Sequence, residues 1–134
     1  MLIEAFEERY LLGVAQMDDT HREFVELVNQ LGEAAKPDFI RLFAELLAHT
    51  ESHFESENAL MQESAFPAIG EHRDEHQRVL GELRRINDRV QSGSTLIGRA
   101  YVTEQLPAWF QLHALTMDSA LAAHLNKLET QLME

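Results

Sequence analysis

Residues 69–90 read IGEHRDEHQRVLGELRRINDRV. Within them Ile69, His72, His76, Val79, Leu83, Ile86 and Val90 alternate steps of three and four, the period of a helix face turned toward a core. Two histidines therefore stand where leucine or isoleucine would ordinarily be buried, one turn apart on the same face. Burying imidazoles without partners is costly, so something must satisfy them.

The same substitution recurs on either side. His21 lies on the seam Met17, His21, Phe24, Val28, Leu31, and His53 with Glu57 on the seam Leu46, Thr50, His53, Glu57, Leu60. A fourth seam reads Leu106, Phe110, His113, Asp118, Leu121, Leu125, Leu128, Leu132, with one step of five among threes and fours. In an unbroken helix that step would turn Asp118 about 140° away from His113. A π-bulge at residues 113–118 would return both to the core, and such bulges favour functional sites.

Punctuation separates four helices. Thr20 and Glu23 match the S/T-x-x-E capping box, which predicts a first helix from Asp18 or Thr20 to the Lys36-Pro37 break. Asp38 is then expected to cap a second helix to about Ser64. Phe66-Pro67 marks a turn into a third helix over about Ala68–Gln91, ended by Ser92-Gly93-Ser94. The fourth spans roughly Thr95 to Leu132, with Pro107 expected to kink or restart it. Short connections imply antiparallel neighbours, hence an all-α, up-down-up-down antiparallel four-helix bundle. Residues 1–16 read as an N-terminal arm whose Phe6, Tyr10, Leu11 and Leu12 pack on one end. No sequence repeat or low-complexity segment is evident.

At 134 residues the chain is read as one domain. Its 23 Asp+Glu against 11 Lys+Arg give a net charge of −12, which disfavours nucleic acid and anionic lipid as partners. The absence of cysteine excludes disulfides, thiolate zinc sites, iron–sulfur clusters and cysteine nucleophiles. The start MLIEAFEERY is acidic where a secretory signal is basic, and no apolar run approaches the ~18 residues of a membrane span. The expected location is the cytoplasm, with no membrane insertion.

Seven seam positions, His21, His53, Glu57, His72, His76, His113 and Asp118, offer more donors than one ion takes. They suit two ions bridged by the carboxylates, since each carboxylate has two oxygens while each imidazole binds one ion. Nitrogen and oxygen ligation without sulfur suits iron, manganese, zinc, nickel or copper, and composition does not choose among them. His49, one turn before His53, could support the ligands from outside the set but is assigned to packing or solvent, and His124, one step off the seam, to solvent. Phe54, Met61 and Trp109 read as core. Phe110, one turn before His113, is the candidate lining of a ligand pocket. His72 to His76 also match H-x-x-E-H, in which Glu75 would be a protease base, but that reading leaves His21, His53 and His113 without a role. A ferritin-like carboxylate site needs Glu-x-x-His pairs, and no histidine here has Glu three residues before it.

The motifs MDDTHREF (17–24), HFESENALM (53–61), AFPAIGEH with EHRDEHQ (65–77) and WFQLHALTMD (109–118) resemble the hemerythrin family, most closely the single-domain bacteriohemerythrins. The resemblance covers nearly the whole chain from Tyr10 onward and implies one hemerythrin-like four-helix domain over 1–134. It implies a non-haem di-iron centre binding O₂ reversibly: His72, His76 and His113 on one iron, His21 and His53 on the other, and Glu57, Asp118 and an oxo or hydroxo group bridging them. The iron with two histidines would keep the position where O₂ binds, a position small anions such as azide also fit. Asn58 departs from a glutamate common in the family, and Phe110 from an aliphatic residue facing O₂. The implied role is O₂ carriage, storage or delivery rather than catalysis. The alternatives are an O₂ or redox sensor acting through a partner protein, and a di-iron peroxidase or NO-reducing enzyme. The oligomeric state stays open.

Overall fold

The computed structural model describes residues 1–133, so Glu134, the last residue of the expected domain, lies outside the described residues. Every regular element among the described residues is helical. After a short helix α1 (Phe6–Arg9) come α2 (Ala15–Glu33), α3 (Lys36–Glu63) and α4 (Ile69–Gln91). The fourth long rod is built from α5 (Leu96–Ala100), a π turn (Tyr101–Gln105), α6 (Leu106–His113), a second π turn (Ala114–Asp118) and α7 (Ser119–Met133).

Side-chain pairs show how the rods run. Gln16 meets Ser56 and Glu23 meets His49 across α2 and α3; Asn58 meets His76 and Gln91 meets the Ile40 carbonyl across α3 and α4. In each pair of helices the later residue of one opposes the earlier residue of the other, so neighbours are antiparallel. The expected seams face inward: Phe24, Val28, Leu31, Leu46, Val79, Leu83, Leu106 and Leu121 are buried. The seam of the last rod fades toward its end, where Leu132 is 88% exposed. Where the last rod meets α4, a Cβ on Gly98 would lie 2.7 Å from Val90 Cγ2, so only glycine fits without displacement.

Several boundaries differ from those the sequence predicts, each for a local reason. The first long helix opens at Ala15, and Thr20 donates its hydroxyl to the Gln16 carbonyl instead of capping. Asp18, itself buried, accepts the Leu12 and Gly13 backbone N–H groups at 2.8 and 3.2 Å and so orders the turn that leads in. Pro37 does not break the chain away from α3 but sits in its first turn, where a missing N–H costs nothing. Asp38 is therefore a first-turn residue rather than a cap. Pro107 falls in the first turn of α6, where α-helical bonding resumes after the π turn, as the expected restart requires, while the rod itself runs on. The π turn ahead of it, with the Leu106 N–H bonded to the Tyr101 carbonyl, supplies the wider spacing that a proline ring and its absent donor require.

Of the arm, Ile3, Phe6 and Tyr10 are buried, while Leu11 is exposed. Asn29 ties the arm down by accepting the Ile3 N–H and donating to the Ile3 carbonyl. No described helix is long and apolar enough to cross a membrane.

Candidate metal centre

The second π turn does what the step of five requires. The Ser119 N–H bonds back to the Ala114 carbonyl, five residues away, and both His113 and Asp118 are buried. All seven seam residues meet in the middle of the bundle, and each is at most 4% exposed. Helix α2 supplies His21, α3 supplies His53 and Glu57, α4 supplies His72 and His76, and the last rod supplies His113 and Asp118.

The two carboxylates divide the histidines between their oxygens. Glu57 Oε2 lies 3.0 Å from His21 Nε2 and 2.6 Å from His53 Nε2, while Oε1 lies 3.5 Å from His72 Nε2 and 3.3 Å from His76 Nε2. Asp118 Oδ2 is 3.1 Å from His21 Nε2, and Oδ1 is 3.0 Å from His72 Nε2 and 3.1 Å from His113 Nε2. Two groups of donors result. One is His72, His76 and His113 with one oxygen from each carboxylate; the other is His21 and His53 with the opposite oxygens.

On the three-histidine side the Nε2 atoms of His72, His76 and His113, Glu57 Oε1 and Asp118 Oδ1 are all buried without a hydrogen-bond partner. Five converging polar atoms that crowd one another at 3.0–3.5 Å without an aligned hydrogen bond are expensive to bury. A cation set among them removes that cost, so the donor set fits a metal ion. Its nitrogen and oxygen composition matches transition metals of intermediate softness.

Charge follows the same geometry. Burial works against ionising Glu57, but the imidazoles of His53, His21 and His72 outweigh it and hold the carboxyl well below its ordinary range. Asp118 is held low against burial and against the Glu57 charge by His113, His21 and His72. Burial likewise opposes a charge on His21 and His72, yet their contacts with Asp118 and Glu57 prevail, raising them to about 10 and about 9. At His76 burial wins and the pKa falls.

The surroundings hold features that helical spacing does not reveal. His76 donates its Nδ1–H to Asn58 Oδ1 at 2.9 Å, which leaves Nε2 as the bare nitrogen facing Glu57. Phe54 stacks on the His76 ring, centroids 3.9 Å apart and 6° from parallel. Trp109 does more than fill the core: it stacks on His113 at 4.6 Å and donates its indole N–H to Glu75 at 2.9 Å. Glu75 also pairs with Arg78, an environment unlike that of a free general base. Phe110 stands edge-on to His21 at 5.8 Å and packs on Phe24 and Tyr10. His49, half-buried, pairs with Glu23 at 3.1 Å, and burial lowers its pKa. His124 is not free in solvent as expected, because its Nε2 meets the Ser64 carbonyl at 2.8 Å at the end of α3.

Comparison with known proteins agrees with this geometry. Over 125 residues the chain is 38% identical to a bacteriohemerythrin of Ralstonia nicotianae, covering 93% of this chain and 90% of that protein. A bacteriohemerythrin of Aquifex aeolicus is 29% identical over 121 residues, covering 86% and 92% of the two chains. No solved structure gives a significant match. The model of the hemerythrin HHE cation-binding domain matches residues 12–133, and the chain belongs to that family.

Proposed function

We propose that this chain is a non-haem di-iron protein that binds O₂ reversibly, for carriage, storage or delivery. The observation that carries the reading is the division of the two carboxylates, each presenting one oxygen to His21 or to the His21–His53 pair and the other to the His72–His76–His113 side. His72, His76 and His113 would hold one iron, His21 and His53 the other, with Glu57, Asp118 and a solvent-derived oxygen between them. A pair of irons so held supplies reversible electron exchange with O₂. The His21–His53 side has one imidazole fewer, which leaves room for a small ligand, and the rings of Phe110 and Phe24 pack against His21 and His53 there. Relatives bearing the name bacteriohemerythrin support the assignment. The reading treats residues 1–134 as one domain with 1–16 as its arm, and the protein as a binder rather than an enzyme.

An absorption spectrum of the anaerobically reduced protein, taken before and after air with metal analysis on the same sample, tests it. Two irons per chain and a colour that appears with O₂ and leaves on deoxygenation are expected. One zinc per chain, or a colour that never reverses, refutes it. The arm favours a second reading, a sensor: Tyr10 packs on Phe110, which packs on His21. Hydrogen exchange of residues 1–14 that changes between the reduced and air-exposed states would support sensing.

Two further outcomes follow from the site. Because His21 and His72 carry protons up to about 10 and about 9, metal must displace them. Loading at pH 7 should release protons, and affinity should weaken as pH falls below that range because protons compete for the same nitrogens. Calorimetric titration in buffers of different ionisation enthalpy measures the number, and a buffer-independent heat would contradict it. Replacing Asn58 with Leu removes the acceptor that orients His76 and should weaken metal binding about 10- to 100-fold. A competition titration against a chelator reads this directly.

A further inference from the structure

We propose that the polar cleft between α2 and α3 is the port through which metal ions reach the buried centre, with His49 and Glu23 as the first ligands a divalent cation such as Fe²⁺ meets. The proposal rests on reading the seven buried residues as metal ligands.

His49, His53 and Glu57 stand at successive fourth positions of α3, so they form one stripe of metal-binding side chains about 6 Å apart in rise. The rings of His49 and His53 have centroids 6.2 Å apart. The stripe runs from outside to inside: Glu23 and His49 have 63% and 17% side-chain exposure, and His53 and Glu57 have 4% and 2%. At the outer rung, His49 Nε2 and Glu23 Oε2 are 3.1 Å apart, within the range of separations found between imidazole nitrogens and carboxylate oxygens in the centre.

The cleft, of about 160 Å³, is lined by polar side chains that include Ser52 and Ser56, and His53 forms part of its wall. His53 is nine-tenths buried, and its Nδ1 has no partner, nor has the buried Nδ1 of His49. Two other recesses touch the cluster. The one at His72, about 290 Å³, mixes Glu71 and Thr116 with Phe66, Ala68, Met117 and Ala120, and the one at His113, about 190 Å³, mixes Thr116 and Glu75, a carboxylate already held by Arg78 and Trp109, with Leu112 and Met117. A cation entering either mixed recess meets apolar side chains along part of the wall, where shed water is not replaced, whereas every side chain lining the cleft is polar. In the polar cleft, Glu23 and His49 replace the first waters, His53 then takes the ion from His49, and Glu57 takes it into the centre. Each exchange breaks one metal–donor bond as the next forms, so the ion keeps its charge and its water returns to solvent.

Metal-free protein mixed anaerobically with Fe²⁺ tests this, with uptake followed by the emission of Trp109, the chain's single tryptophan, stacked on His113. The double variant Glu23→Gln with His49→Leu should still reach two irons per chain, but load about tenfold more slowly and surrender iron to a chelator correspondingly slowly. Glu23→Gln alone, an exposed change, should slow uptake severalfold. Glu26→Gln, which removes the same charge from α2 outside the cleft, and Ala120→Phe, which fills the recess at His72, should load like the parent. Cleft variants loading at the parent rate, or slowing matched by Glu26→Gln, would overturn the port. A parent that never takes up two ions would instead overturn the ligand assignment on which the port depends.

Discussion

Glu57→Ala is expected to reduce the metal content from two ions per chain to one or none. Glu57, like Asp118, reaches both groups of histidines, and it makes the larger set of contacts, at 2.6–3.5 Å with four of the five imidazoles. Glu57→Gln, which keeps the shape but removes the charge, should fail in the same way, because the lost attraction lies between an anion and two cations. The thermal midpoint of the loaded protein should fall as well. A ligand present at 1,000 times its Kd stabilises the fold by about 4 kcal/mol, and that contribution goes with the metal. Without metal the change still hurts, since removing one partner from a buried charged cluster costs about 3–5 kcal/mol. Metal analysis and thermal denaturation of parent and both variants, each with and without chelator, separate the two contributions. Full retention of two ions in Glu57→Ala would remove Glu57 as a ligand shared by the two sites, and one ion per parent chain, fully retained in Glu57→Ala, would end the dinuclear reading.

Phe110→Leu should keep both ions yet open the site. The Phe110 ring is 2% exposed and lies edge-on to His21, against Phe24 and Tyr10. Leucine leaves space on the side with fewer histidines, so azide should associate about tenfold faster, equivalent to about 1.4 kcal/mol of barrier. Autoxidation should rise with it, because water reaches the same space. Lost ring contacts and imperfect repacking should cost about 1–2 kcal/mol of stability. Stopped-flow azide binding and the decay of the air-induced colour are the measurements. Unchanged rates in a variant retaining both ions would remove Phe110 from the ligand pocket.

Helix ends were harder to read than helix faces. Thr20 and Glu23 match a capping box, yet the helix has already begun at Ala15, and the carboxylate that binds backbone there is Asp18, through the Leu12 and Gly13 N–H groups of the turn leading in. Pro37 and Pro107 look like interruptions in one dimension. One falls where a helix begins, and a π turn absorbs the other. By contrast, the step of five between His113 and Asp118 could be read correctly, because burying both leaves a helix few ways to absorb one extra residue.

The all-α class, the inward faces and the convergence of seven polar residues follow from spacing along single helices, because a helix converts residue number directly into direction. Contacts between helices follow no such rule. Asn58 reaches His76 over a separation of 18 residues and Trp109 reaches Glu75 over 34, while His49 finds Glu23 rather than solvent. These pairings, and the division of each carboxylate's oxygens among the histidines, depend on the axial register of neighbouring helices and on rotamers chosen in the packed core. Neither exists until the helices have docked, so only the tertiary structure decides them.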